Sequence, residues 1–293
     1  MNSNLEERLN KIKKSGASEA VGTNEESREG LLSFVVPTEF VDLPSKGKFY
    51  SDDHPLKDKD TLEIKQMTAR EEDILTNKSF IKKGVVIDRL IESLLVDDSI
   101  DISSLLVGDK NAIMVAARIS AYGPSYDVIV NCGECNAKNT LNIDLREIAA
   151  REAPAIIEDA NSEESVNSER LENGNILIQL PKTGWIVECK LMNGVDERKI
   201  LNLVEEKKRT DASADMTISE QLNIIINSID TVTDRQTIRR AINSMPAYDA
   251  KHLRKIYQKM IPNVRIEKKF VCRSCYEEQE LEVPFTQEFF WPK

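Results

Sequence analysis

Two Cys-x-x-Cys pairs constrain this chain more than anything else in it. Cys132-Gly133-Glu134-Cys135 lies between Tyr126-Asp127-Val128-Ile129-Val130 and Thr140-Leu141-Asn142-Ile143-Asp144. Cys272-Arg273-Ser274-Cys275 lies between residues 265–271 and Glu280-Leu281-Glu282-Val283. Each pair therefore reads as the turn of a β-hairpin. Such a turn aims two thiolates at one spot, which is half of a tetrahedral zinc shell. Two turns complete it, so the spacing predicts a structural Zn2+ site made by Cys132, Cys135, Cys272 and Cys275. A simple zinc ribbon places its second pair about 15–20 residues after the first; here the pairs are 140 positions apart.

An internal duplication accounts for that distance. The same offset carries Leu141 and Ile143 onto Leu281 and Val283, and Asp109 onto Asp249. It also carries the stripe Ile113, Ala116, Ala117, Ser120 onto Leu253, Ile256, Tyr257, Met260. Upstream, Glu63-Ile64-Lys65-Gln66-Met67 is similar to Glu188-Cys189-Lys190-Leu191-Met192, and Leu43-Pro44-Ser45-Lys46-Gly47 to Leu180-Pro181-Lys182-Thr183-Gly184. The expected fold class is α+β: two tandem repeats of strands, helices and a hairpin knuckle, sharing one four-cysteine zinc site at a pseudo-twofold junction. The corresponding domains are a polar arm over 1–36, a first repeat over 37–145, an acidic linker over 146–175, and a second repeat over 176–293.

Other chemistry for the cysteines fits less well. A thioredoxin-like pair sits between a strand and a helix start, whereas strand patterns flank both pairs here. A catalytic zinc keeps a position open for water, and four thiolates close the shell. With only His54 and His252, neither in a metal-ligand spacing, the chain lacks a metalloprotease or aminohydrolase set. Cys189 falls on Ile64 in the repeat and reads as a buried apolar residue. Asp109 and Asp249 each precede a helical stripe and read as helix caps.

Along the chain, Leu5, Leu9 and Ile12 form a helical stripe within the polar arm, and they are candidates for partner docking. Thr68-Ala69-Arg70-Glu71 has the form of a capping box. Helices are expected over 85–96 and 109–121, the latter stopped by Gly123. Residues 146–175, with eight acids against three bases, read as a solvated linker. Further helices are expected over 196–208, 217–229, 234–243 and 246–260. The chain is 5% aromatic, yet residues 285–291 hold four aromatics. Phe289, Phe290 and Trp291 either fold back on the second repeat or anchor in a neighbouring protein.

Composition bounds the function. With 40 basic and 50 acidic residues the net charge is −10, against a nonspecific grip on nucleic acid. No segment reaches the about 18 uncharged apolar residues of a membrane span, and residues 1–7 lack a signal peptide's apolar core. Cysteines kept for metal suit a reducing cytoplasm. No Ser/His/Asp set, dinucleotide glycine pattern or catalytic carboxylate pair is present. Three classes stay open on residues alone: an assembly protein acting through protein contacts, a zinc-ribbon module reading nucleic acid, and an unrecognised enzyme.

Certain stretches narrow the choice. They are Leu43-Pro44-Ser45-Lys46-Gly47-Lys48, the segment from Thr68 to Leu75, and Leu106-Val107-Gly108-Asp109-Lys110-Asn111-Ala112, continuing through Tyr122-Gly123 to the first cysteine pair. Together they resemble the baseplate hub proteins of T-even-like, contractile-tailed bacteriophages, most strongly over residues 37–145 and more loosely to the end. The resemblance implies a non-enzymatic hub component or hub/tape-measure assembly factor. Its partners would be other tail or baseplate hub proteins or the tape-measure protein. It would be made in the cytoplasm of the host bacterium, and its persistence in the finished tail baseplate is left open. The resemblance brings no catalytic residues.

Overall fold

Alternating burial along residues 38–42 and 61–65 builds the first hairpin. Strand β1 (Thr38–Asp42) pairs antiparallel with β2 (Thr61–Lys65), which turns Leu62 and Ile64 inward. The computed structural model describes residues 36–147, 150–151, 156–158, 167–210, 218–264, 266–283 and 289–290. All of them belong to one compact unit. The polar arm, with its Leu5, Leu9 and Ile12 stripe, lies outside the described residues apart from Val36.

Three helices follow the hairpin: α1 (Ala69–Thr76), α2 (Lys78–Lys82) and α3 (Val86–Leu94). The capping box at the start of α1 is formed, since Thr68 Oγ1 accepts from Arg70 N and Glu71 accepts from Thr68 N at 2.9 Å. Val86, Leu90, Ile91 and Leu94 make one buried stripe on α3, the spacing a helix needs to face a core. Helix α4 (Val107–Tyr122) ends at Gly123, whose φ of 80° lies in the region that favours glycine. These elements share one apolar core, centred on Ile64, Leu75, Leu90, Ile91, Leu94 and Ile113.

The second core also starts from an antiparallel hairpin, followed by helices with one strand among them. Strands β8 (Ile176–Gln179) and β9 (Ile186–Cys189) pair antiparallel and bury Ile176, Ile178, Val187 and Cys189. Against them pack α6 (Ile218–Ile225), α7 (Arg235–Ser244) and α8 (Ala247–Met260). Helix α5 (Gly194–Thr210) precedes them. The run 217–229, expected as one helix, breaks after Ile225: Ile226–Ile229 becomes strand β10, paired with β9. A continuous isoleucine-rich run satisfies helix and strand periods equally, and the free edge of β9 decides between them.

Residues 146–175 are not a plain solvated linker. They contribute β5 (Ala150–Arg151), β6 (Ile156–Glu158) and β7 (Asn167–Arg170). Strands β6 and β7 extend the second sheet to the order β10-β9-β8-β7-β6, all antiparallel. Strand β5 pairs with β11 (Asn263–Val264). The two cores are also bound directly. Val107 N donates to Met192 O at 3.0 Å, and Gly194 N to Leu105 O at 3.1 Å. Lys110, buried, pairs with Asp88 at 2.7 Å and with Glu197 on α5. A Cβ on Gly108 would sit 2.0 Å from Pro262 O, so only glycine permits this approach of α4 to the segment before β11.

Asp109 and Asp249 do not cap their helices. Both are fully buried, in the first turns of α4 and α8, and each grips a Leu-Pro-x-x-Gly turn. Asp109 accepts from Ser45 N (3.0 Å), Ser45 Oγ (2.6 Å) and Tyr50 Oη (2.7 Å). Asp249 accepts from Lys182 N (2.9 Å), Thr183 N (2.9 Å) and Thr183 Oγ1 (2.8 Å). Burial pushes the Asp109 carboxyl up, against the pull of the Ser45 and Tyr50 donors. The two aspartates should answer differently to Asn. Around Asp109, Tyr50 Oη already accepts from Leu106 N and Ser45 Oγ from Gly47 N, both at 3.1 Å, but the Ser45 hydroxyl has a second lone pair and can turn to accept from an amide. Both oxygens of Asp249 face backbone N–H groups, which cannot. Asp249→Asn is therefore expected to lose about 1.5–3 kcal/mol, and Asp109→Asn less, read as urea-denaturation midpoints. Equal losses would refute this account of the two sites.

The C-terminal aromatics pack internally, one of the two expected outcomes, but in a different place. Phe289 and Phe290 are each 1% exposed and lie in the first core, beyond reach of a partner's surface and not on the second repeat. The Phe289 ring packs against Tyr126 at 5.1 Å between centroids, and Phe290 meets Phe289 edge-on at 5.8 Å. Two large apolar rings gain more from this burial than from exposure to water. Trp291 lies outside the described residues.

Candidate metal centre

Each cysteine pair closes a two-stranded antiparallel hairpin. The first joins β3 (Ser125–Asn131) to β4 (Lys138–Asp144) with Asn131 opposite Lys138. The second joins β12 (Ile266–Val271) to β13 (Glu278–Val283) with Val271 opposite Glu278. The turns have the same backbone bonds. Cys132 N donates to Ala137 O and Asn136 N to Cys132 O, both at 2.9 Å. Cys272 N donates to Glu277 O at 2.9 Å and Tyr276 N to Cys272 O at 3.0 Å. Asn136 and Tyr276 take matching left-handed conformations, φ 56° and 61°. Asn tolerates that region; Tyr276 does so with its side chain 79% exposed.

The four thiols converge. Cys132 Sγ lies 3.6 Å from Cys275 Sγ, Cys135 Sγ lies 3.7 Å from Cys272 Sγ, and all four are within 4.8 Å of one another. A disulfide needs about 2.05 Å, so these cysteines are free. A tetrahedron with metal–sulfur bonds of about 2.3 Å has edges of about 3.8 Å, close to the separations found. The set therefore fits a closed tetrathiolate shell, in which the residues that could hold a metal ion are Cys132, Cys135, Cys272 and Cys275. Cys132 and Cys272 are buried, Cys135 and Cys275 exposed, one of each per hairpin. Backbone N–H groups of Cys275 and Ser274 face Cys272 and lower its thiol, while burial and the neighbouring sulfurs push that of Cys275 up, so the four thiols share their protons as one cluster.

The remaining candidates have other places. Cys189 is fully buried in the second core, and desolvation pushes its thiol up. His54 Nδ1 accepts from Leu56 N at 3.0 Å, its Nε2 lies 2.7 Å from Ser104 Oγ, and its ring stacks on Tyr50. It serves the loop between β1 and β2. Two polar residues at the centre escape a reading based on cysteine spacing. Asn139 Oδ1 accepts from Arg273 N, and Gln279 Oε1 accepts from Gly133 N, each at 3.0 Å. Their signal in the sequence is faint: both stand four residues after the second cysteine of their pair.

Fold and site together define a class: a mixed α+β chain with small antiparallel sheets, whose distant hairpins meet at four cysteines that could bind a metal ion. The family model described as T4 bacteriophage base plate protein matches residues 36–291, and the chain belongs to that family. Membership makes it a component of a phage baseplate, working among other structural proteins of the virion tail. Comparison with curated proteins gave no match, and neither did comparison with solved structures. Among the described residues no helix is long and apolar enough to cross a membrane.

Proposed function

We propose that this chain is a non-enzymatic component of the baseplate hub, or a hub/tape-measure assembly factor. It would carry one structural zinc and act through protein–protein contacts. The observation that carries the reading is the family match over nearly all of the described chain, joined to a four-sulfur cluster. A shell closed by four thiolates offers no open position to substrate or water, which suits a structural and not a catalytic metal. Zinc is the ion that four cysteines in this geometry hold most commonly in structural sites. In the chain it would act as a cross-link between hairpins 140 positions apart.

Duplication supplies the architecture in this proposal, with copies over about 37–145 and 176–293 and strands β5–β7 added between them. Support comes from paired features. Asp109 and Asp249 grip equivalent turns, Ile64 and Cys189 are equivalent buried strand residues, and the two cysteine turns share their backbone bonds and left-handed residue. The close sulfur contacts are reciprocal, Cys132 to Cys275 and Cys135 to Cys272, as across a twofold axis.

Synthesis in the host cytoplasm and docking through Leu5, Leu9, Ile12 and Trp291 complete the proposal. Its partners are other hub proteins or the tape-measure protein. The test uses the full chain and a variant lacking residues 1–30. Both are expected to contain one zinc per chain by metal analysis, and only the full chain should co-purify with other tail proteins and restore infectious particles. A truncated chain that assembles normally would remove the arm from the docking role. A full chain free of zinc would remove the metal.

A further inference from the structure

The side chains around the cysteines are crossed between hairpins. Asn139 belongs to β4 but binds the turn of the second hairpin, where its Oδ1 accepts from Arg273 N at 3.0 Å. Gln279 belongs to β13 but binds the turn of the first, where its Oε1 accepts from Gly133 N at 3.0 Å. Gly133 and Arg273 are the same position of the two Cys-x-x-Cys turns, and Asn139 and Gln279 are the same position of the two return strands. Each amide thus reaches across the junction to the residue after the partner hairpin's first cysteine.

The two arms are not equal. Asn139 is 2% exposed, and its Nδ2 donates to Ala137 O at 3.0 Å and to Cys272 Sγ at 3.5 Å. Reversing this amide would set N–H against Arg273 N–H and oxygen against Ala137 oxygen, so its neighbours fix its orientation. Gln279 is half-buried, and its amide lies over Gly133, 3.5 Å from where a Cβ would stand.

We propose that Asn139 and Gln279 are a crossed pair of positioning residues that hold the two cysteine pairs at ligand distance. Asn139 in addition steadies the Cys272 thiolate with an N–H. This rests on the zinc reading above. Four thiolates around Zn2+ carry a net charge of −2, so donors aimed at sulfur favour the loaded centre. Groups that orient metal ligands typically change affinity by about 10–100-fold when removed.

The experiment takes the full zinc-loaded chain, competes it with a chromophoric chelator, and follows backbone amide exchange. Asn139→Ala is expected to weaken zinc binding about 10–100-fold, and Gln279→Ala by less but measurably. Asn142→Ala, which removes a pair of exposed contacts to Ser125 and Asp127 on β3, should leave affinity unchanged. The exchange pattern should be crosswise. Asn139→Ala frees the amide of Arg273, and Gln279→Ala frees that of Gly133. If Asn139→Ala does not fold, Gln279→Ala carries both readouts from its more open side. Zinc affinity unchanged in the two variants, or protection lost at a variant's own turn instead of the opposite one, overturns the clamp and leaves the metal reading intact. An unmodified chain that takes up no zinc overturns the metal reading and the clamp with it.

Discussion

Replacing Cys132 and Cys135 together by serine is expected, on the proposed zinc centre, to abolish metal binding and release the two hairpins from each other. Two thiolates cannot hold the ion in the shell that four define. The magnitude follows from what else holds the hairpin tips. Cys132, Cys272 and Val130 are buried but belong to neither apolar core. Ile129 and Val271 are more than half exposed. Little hydrophobic burial is therefore available to replace the proposed metal. Structural zinc in small peptides contributes about 10–16 kcal/mol of apparent binding energy. Part of that is lost in a chain whose unfolded form also binds metal. A remaining loss of about 5 kcal/mol would lower Tm by roughly 8 °C at this size. The two cores, built from other residues, should persist as a helical, partly folded chain. Cys189→Ser is the control: it leaves zinc content intact and costs only the burial of a hydroxyl. Zinc retained by the double variant, or a Tm within about 2 °C of the parent, would sink the cross-link.

How much of this was legible beforehand depended on how local each cause is. The Thr68–Glu71 capping box and the helix stop at Gly123 are settled within four residues, and both are where the pattern puts them. The cysteine pairs are also local signals, and the fold brings all four sulfurs within 4.8 Å of one another as their spacing predicts. Asp109 shows the limit. Its place before a helical stripe reads as a cap, but its partners are Ser45 and Tyr50, about sixty residues away. Nothing in the helix names them. Strand β7 is harder still: Asn167–Arg170 has no apolar alternation, and its extended form comes from pairing with β8. Asn139 and Gln279 have ordinary strand neighbours, and only the junction gives them a task.

Of the two places expected for the aromatic end, Phe289 and Phe290 take the internal one, in the first core instead of on the second repeat, and this has a large consequence. Phe289→Ala with Phe290→Ala is expected to unfold the first core, not to spare it while blocking a partner. Both rings are 1% exposed among Tyr126, Ile143 and the other residues of that core, and Tyr126 is also covered by Arg118, 5.9 Å from its ring centre. Truncating one buried Phe costs about 3–5 kcal/mol, since the cavity adds to the lost transfer energy. Two touching rings do not add simply, but the pair still removes a large share of the about 5–15 kcal/mol that holds a domain. The position in the chain enlarges the effect. These residues follow β13, so their anchoring ties the second hairpin back to the first core independently of the metal. The Phe pair replaced by Leu should recover most of the loss, because Leu refills part of the volume without a polar group. Trp291→Ala alone tests docking while leaving Phe289 and Phe290 in place. Urea denaturation followed by far-ultraviolet circular dichroism reads the Ala and Leu pairs, and co-purification with other tail proteins reads Trp291→Ala. A double alanine variant with an unchanged midpoint would mean that the rings do not rest in this core, and would return them to the surface as anchors for a partner.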